Sequence, residues 1–309
     1  MNLYAAPTTI DPADCERIGA NLYAIRSEWK PLPPVEKHRA VIAYYAGAMK
    51  GDAVFSNISG AVMRDLPLPR QIPYRPHCYS TARRKSAGSL IQWHLSAAAL
   101  DFDRVGVARV AKSERVLVDL ATSIDAAATL TALNHCLAHD HFSVSALEGY
   151  LRRNTGVHGS KRLRSLLPFA NGGCESPLET IAWLAIYSAG LTMPELQVKI
   201  ADAGGFAGRV DMHWQTGRRS LIVELDGKVK YTDREVLFKE KKREDRITEA
   251  GHRVLRFTWQ DIQSGRLVSR LKDIGIPERR NFGRKFPHWD TARAIGAQTS
   301  KFAEKALLF

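Results

Sequence analysis

The chain has 309 residues, of which 45 are Lys or Arg and 32 are Asp or Glu, a formal net charge of +13, with 45% hydrophobic residues. That apolar share excludes a disordered, collagen-like or coiled-coil chain, and the length accommodates roughly two domains. Residues 1–174 hold 21 basic and 14 acidic side chains and residues 175–309 hold 24 and 18, so no basic tail explains the total. A basic globular surface implies a polyanionic partner, nucleic acid ahead of anionic membrane.

No run of 18 apolar residues exists, so no membrane-spanning helix is expected. The N-terminus has neither a basic segment nor an apolar core, so no signal peptide is expected. Cys15, Cys78, Cys136 and Cys174 are widely spaced without a C-x-x-C pair, which argues against a disulfide framework or zinc ribbon and for a cytoplasmic location.

In chain order, residues 31–34 break the chain and residues 35–50 have the apolar spacing of a helix, followed by a short helix from Ser56 to Leu66 that Pro67 and Pro69 stop. Strand-like runs occupy 70–118, among them 89–95 and 105–110. Helical patterning covers 114–139, and Ser143 or Ser145 caps a further helix through Leu151. Loops rich in Gly and Asn fall at 154–161 and 170–175, and the second divides an N-terminal domain (1–170) from a second one (175–275). Ser176-Pro177-Leu178-Glu179 then opens an apolar helix ending at Gly190. Strands are expected at 207–214 and 220–226 about a turn at 215–219, a charged helix from Asp233 to Ala250, a strand at 252–259 and a helix at 260–273. This order predicts a mixed α/β fold, with residues 276–309 as a basic and aromatic extension.

The hairpin carries the chemistry. Asp211 and Glu224 are symmetric about a turn centred between Gly217 and Arg218, which puts the two carboxylates opposite each other, about 5 Å apart. Like charges there are unfavourable, and a divalent cation between them reverses the sign. Mg²⁺ takes one or two carboxylates plus water and phosphate oxygens. If the strand continues with a period of two, Glu224, Asp226, Lys228 and Lys230 share one face, and a lysine there would stabilise charge developing on a phosphate. Glu179 has two readings: half of a capping box with Ser176, or a third acid presented by a helix end. The charged run 239–246 is either a solvated helix or a phosphate contact through Lys241, Lys242 and Arg243.

Taken in order, Ser176-Pro177-Leu178-Glu179, Arg209-Val210-Asp211, Val223-Glu224-Leu225-Asp226-Gly227, Glu244-Asp245-Arg246 and Gly251-His252-Arg253-Val254-Leu255-Arg256-Phe257-Thr258 resemble a domain found in actinobacterial proteins. That domain is related to the very-short-patch-repair endonuclease, within the PD-(D/E)xK nuclease superfamily. Upstream, the stretches from Phe55 to Ala61 and from Arg115 to Ala121 loosely resemble the AbiEi-type antitoxin-like region that often precedes it. The resemblance implies a restriction-endonuclease-like mixed sheet flanked by helices. Asp211 and Glu224, with the Leu225 carbonyl, would hold the catalytic metal, Mg²⁺ or Mn²⁺, and Glu179 would lie on the first core helix; Asp226, outside what the resemblance implies, is a candidate third ligand. The superfamily's lysine two residues after the glutamate is Asp226 here, so Lys228 or Lys230 would supply the cation. The expected activity is metal-dependent DNA endonuclease. The alternative is a DNA-binding, antitoxin-like regulator with an impaired nuclease fold. The expected partner is DNA, and a homodimer is compatible with this reading.

Overall fold

Apolar alternation and Gly/Pro punctuation produce a mixed α/β chain, with three sheets and no barrel among the described residues. The computed structural model describes residues 3–5, 11–19, 21–48, 52–82, 90–202, 204–216, 219–227, 243, 245–280 and 283–289. The chain divides into two units: residues 1–136, 140–168 and from His288 onward form the first, and 137–139 with 169–287 form the second. No helix among the described residues is long and apolar enough to cross a membrane.

The first unit begins with an antiparallel sheet of β1 (Leu3–Tyr4), β2 (Cys15–Gly19) and β3 (Leu22–Ile25), ordered β1-β3-β2. The helix Pro34–Ala48 lays Val41 against Ile18, Leu22, Ala24 and Trp29 of this region. A five-stranded mixed sheet follows: β4 (Val54–Phe55), β5 (His77–Ser80), β6 (Gln92–Leu95), β7 (Phe102–Val105) and β8 (Ala108–Ala111), ordered β6-β5-β4-β8-β7. The run expected as one strand at 105–110 is broken at Gly106 (φ +58°), where the chain turns back to make the β7–β8 hairpin. The helical pattern at 114–139 is two helices, Ser113–Ser123 and Ala126–Ala138, because Asp125 leaves the first and accepts the Ala128 N–H at 2.8 Å to start the second. Of the two candidates Ser143 and Ser145, Ser143 caps the helix Val144–Arg153 by accepting the Ala146 N–H at 3.2 Å.

The stretches around residues 55–61 and 115–121 fold against each other. The helix Asn57–Met63 crosses Ser113–Ser123 so closely that a Cβ on Gly60 would lie 2.6 Å from Val116 Cγ2. Under that crossing, Asp119 is 3% exposed and accepts from Ser56 Oγ (2.5 Å), Tyr79 Oη (3.1 Å) and Arg115 Nε (3.1 and 3.2 Å). The Arg115 guanidinium also sits 4.6 Å from the Tyr79 ring centroid. A buried charge persists only with such pairing.

In the second unit the helix Pro177–Ser188 buries Leu178, Ile181, Ala182, Leu184 and Ile186. Its sheet is β9 (Glu195–Asp202), β10 (Gly205–Thr216), β11 (Arg219–Leu225) and β12 (His252–Phe257), ordered β12-β11-β10-β9. The first three strands form an antiparallel meander and β12 joins β11 in parallel, which requires the long crossover between them. Of the helix expected from Asp233 to Ala250, the described part 245–249 is helical and buries Ile247 beside Ile200, Val210 and Ile222. The helix expected at 260–273 is two, Trp259–Gln263 and Arg266–Ile274, parted at Gly265 (φ +76°). The start of the expected extension lies on this unit: Leu191 bridges to Glu278, and the Arg279 N–H donates to the Gly190 carbonyl at 2.7 Å.

Candidate functional site

The register of β10 and β11 pairs Thr216 with Arg219 and continues to Met212 with Val223. The paired register ends at Met212 and Val223; one further step of it would set Asp211 across from Glu224. There the ladder changes. The Leu225 N–H donates to Asp211 Oδ2 at 2.8 Å, so a carboxylate takes the donor that a strand carbonyl would otherwise hold. The adjoining pairs Val210–Val198 and Met212–Leu196 place Gln197 across from Asp211 on the other side. In the parallel pair, Arg256 aligns with Glu224. Carried one step beyond the paired residues, these registers line up Gln197, Asp211, Glu224 and Arg256 as one polar row across the four strands.

Glu179 joins this row from the helix. Its backbone N–H donates to Ser176 Oγ at 3.2 Å, the expected half of the capping box. The other half does not form. Glu179 Oε2 accepts from the Glu175 N–H and from Gln197 Nε2, both at 2.9 Å, so the carboxylate faces the strand rather than closing on Ser176. Gln197 has φ +55°, a left-handed value unusual for a non-glycine residue inside a strand. That conformation carries its amide to Glu179.

Burial raises the pKa of Glu179 first of all, with the charge of Asp211 adding to it against the Ser176, Glu175 and Gln197 bonds. Asp211 is likewise raised, by burial first and by the charge of Asp226, against the Leu225 N–H and the cations of Arg243 and Arg209. Both acids are thus held where ionisation is costly, which is the state a bound cation relieves.

Glu224 is buried, with Arg243 Nη2 3.3 Å from its Oε1. The same guanidinium donates to the Arg209 carbonyl at 3.2 Å and packs along Gly208. Arg243, in the run read either as a solvated helix or as a phosphate contact, reaches Glu224 and the Arg209 carbonyl. Arg209 pairs in a two-pronged manner with Glu175, at 2.8 Å for both contacts. Asp226 follows the end of β11; its N–H continues the ladder to the Phe257 carbonyl, and its side chain is 58% exposed, 3.9 Å from Arg256. The three-carboxylate metal set of Asp211, Glu224 and Asp226 does not converge: among the described residues no group of three His, Cys, Asp or Glu side chains is placed to hold one ion. Lys228, Lys230, Lys241 and Lys242 lie outside the described residues.

His213, two residues from Asp211, is held below the ordinary imidazole range by burial, and its ring nitrogens make no hydrogen bond. Gln197 was missed by sequence reasoning because β9 was. The signal was present: Leu196, Val198 and Ile200 alternate with Glu195, Gln197 and Lys199.

Two uncharacterized proteins of Mycobacterium tuberculosis, one from each of two strains, are each 30% identical to this chain over 156 residues, covering 50% of this chain and 57% of theirs. The chain thus spans little more than half the length of these relatives. No family model matches the chain, and no solved structure matches it.

Proposed function

We propose that the second unit is a metal-dependent DNA endonuclease, with Asp211 and Glu224 as the carboxylates that hold Mg²⁺ or Mn²⁺. The observation that carries this reading is the pair itself. What supports it is that Asp211 and Glu224 each lie one residue beyond the paired Met212 and Val223 on neighbouring strands, Asp211 with its pKa raised by burial, and that the charge of Asp211 acts on Glu179. The donor set fits a hard ion, which takes one or two carboxylates and completes its shell with water and phosphate oxygens. When bound, such an ion polarises a phosphate oxygen and activates water for in-line attack.

The chain's own residues have distinct parts. The Leu225 N–H fixes Asp211, and Gln197 fixes Glu179 at the edge of the row. Arg209 and Arg243 bring positive charge beside the acids, suited to a substrate phosphate. Lys228 or Lys230 would take the place of the lysine that Asp226 replaces. The net charge of +13 favours a polyanionic substrate and makes its binding salt-dependent. The test is incubation of the purified chain with plasmid, linear and mismatched DNA in Mg²⁺ or Mn²⁺. Cleavage that Asp211→Ala abolishes supports the reading; no cleavage of any of them by the unsubstituted chain refutes it.

A second reading has its own observation. The Arg243 guanidinium already gives Glu224 a cation at 3.3 Å. If that pair persists with DNA and metal present, the unit is a DNA-binding module with an impaired site. Arg243→Ala then leaves cleavage absent, whereas under the first reading it frees Glu224 and changes the metal dependence.

A further inference from the structure

Two consecutive helices of the first unit, Val144–Arg153 and Ser160–Leu166, carry five cations, Arg152, Arg153, Lys161, Arg162 and Arg164, against one acid, Glu148. Each helix has an apolar inner side: Leu147 and Leu151 are buried on the first, Leu163 and Leu166 on the second. The cations fall on the outer side, where Arg152, Arg153, Lys161 and Arg164 are exposed. Arg162 is the exception. Half-buried, it donates to the Ala121 carbonyl at 3.2 Å and sits 5.7 Å from the Trp289 ring centroid.

The connection between the helices gathers these charges. The Ser160 hydroxyl donates to the Asn154 carbonyl at 2.7 Å, and Asn154 Nδ2 donates to the Tyr150 carbonyl at 2.9 Å, which closes the turn on the end of the first helix. Arg164 Nη2 reaches back to the Leu151 carbonyl at 2.7 Å, so its guanidinium joins the turn that bears Arg152 and Arg153. Those two arginines converge over Gly149, where an added Cβ would lie 3.4 Å from Arg153 Nη1 and 3.7 Å from Arg152 Nη2. Glu148 offsets little of this charge: it stands 3.9 Å from Arg152, and both side chains are exposed. Arg153 and Lys161 make no ion pair among the described residues. The exposed residues around the cations, Thr155, Gly156, His158 and Ser165, include no large apolar side chain. Interfacial membrane binding draws on apolar groups buried among the headgroups as well as on charge, whereas a row of phosphates needs only the cations. Guanidinium forks donate paired N–H bonds to phosphate oxygens, and a lysine adds a compact point charge. We propose that this helix pair is a docking surface for duplex nucleic acid, with Arg152, Arg153 and Lys161 contacting phosphates and Arg164 positioning the helix end. The surface belongs to the first unit, and its binding needs neither a metal nor the carboxylates of the second.

The experiment uses the full chain, a triple variant carrying Arg152→Ala, Arg153→Ala and Lys161→Ala, the single variant Arg153→Glu, and Lys272→Ala as a control for the loss of an exposed cation elsewhere. Binding of a labelled DNA duplex is measured by fluorescence anisotropy across a salt series in EDTA. Binding to phosphatidylserine vesicles is measured by sedimentation. The triple variant is expected to make the slope of log K against log salt shallower by about three, one for each phosphate contact, and to keep the circular dichroism of the unsubstituted chain because all three side chains are exposed. Arg153→Glu is expected to weaken DNA binding, and it supplies the same test if the triple variant does not fold. Lys272→Ala is expected to leave the slope unchanged. A slope that neither the triple variant nor Arg153→Glu alters overturns the proposal, and vesicle binding lost in the same variants then assigns the surface to a membrane. A slope that Lys272→Ala shallows as much as each of the three cations does also overturns it, because total charge rather than this surface would then set the binding. A slope that depends on the three cations, in a chain that cleaves no DNA, upholds this surface and counts against the nuclease reading alone.

Discussion

Replacing Asp211 by asparagine separates the cost of a buried charge from its use. The side-chain oxygen that accepts the Leu225 N–H at 2.8 Å is kept, while the negative charge beside Glu179 and Asp226 is lost. Asp211 has a raised pKa in the folded chain, so its ionised form opposes folding. The stability it contributes is present below its unfolded value of 3.8 and is lost as pH rises through the folded value. Asp211→Asn is therefore expected to be at least as stable as the unsubstituted chain at neutral pH, with the difference vanishing in acid. A divalent ion reverses the order. At a free concentration a hundredfold above its Kd, Mn²⁺ stabilises the unsubstituted chain by about 2.7 kcal/mol. For a unit of residues 169–287 that corresponds to a rise in melting temperature on the order of 10 °C. The asparagine variant should lose most of that rise. Scanning calorimetry of both proteins with and without Mn²⁺ at neutral pH is the assay. An Asn variant that is less stable than its parent without metal, or that keeps the full Mn²⁺ response, would refute the reasoning.

Three further outcomes follow from the first unit. Asp119→Ala strands the buried Arg115 cation and two hydroxyl donors, so a loss of roughly 3–5 kcal/mol is expected by urea titration; a loss below 1 kcal/mol would show that Arg115 escapes to water. Burial pulls His38 down to about 4 and His77 to about 3, against 6.5 unfolded. The unfolded state thus binds more protons, and stability declines as pH falls from about 6.5 towards 4, by about 3 kcal/mol from the fully buried His38 alone; His38→Gln should flatten that decline in urea titrations across the window. Gly159 has φ +100° and an added Cβ would meet the Val118 carbonyl oxygen at 2.0 Å, so Gly159→Ala should cost more than about 1 kcal/mol and lower the melting temperature.

The sequence by itself determined the local and the symmetric. Ser143 and Ser176 announced helix starts because a cap is a contact within three residues. The alternation on either side of residues 217–218 announced the register of β10 and β11, Thr216 with Arg219 and Met212 with Val223, because a short connection leaves one register. The mixed α/β class followed from the order of those elements. What lies within one residue type but depends on a distant partner was decided by tertiary structure. Glu179 turns from its own cap towards Gln197, 18 residues on, because that amide is brought across by a strand carrying a left-handed residue. Arg243 turns towards Glu224, 19 residues back along the chain. In the first unit, Ser56, Tyr79, Arg115 and Asp119 meet from three separated segments. Charges and amides choose partners by distance and desolvation, and neither is defined until the chain has folded.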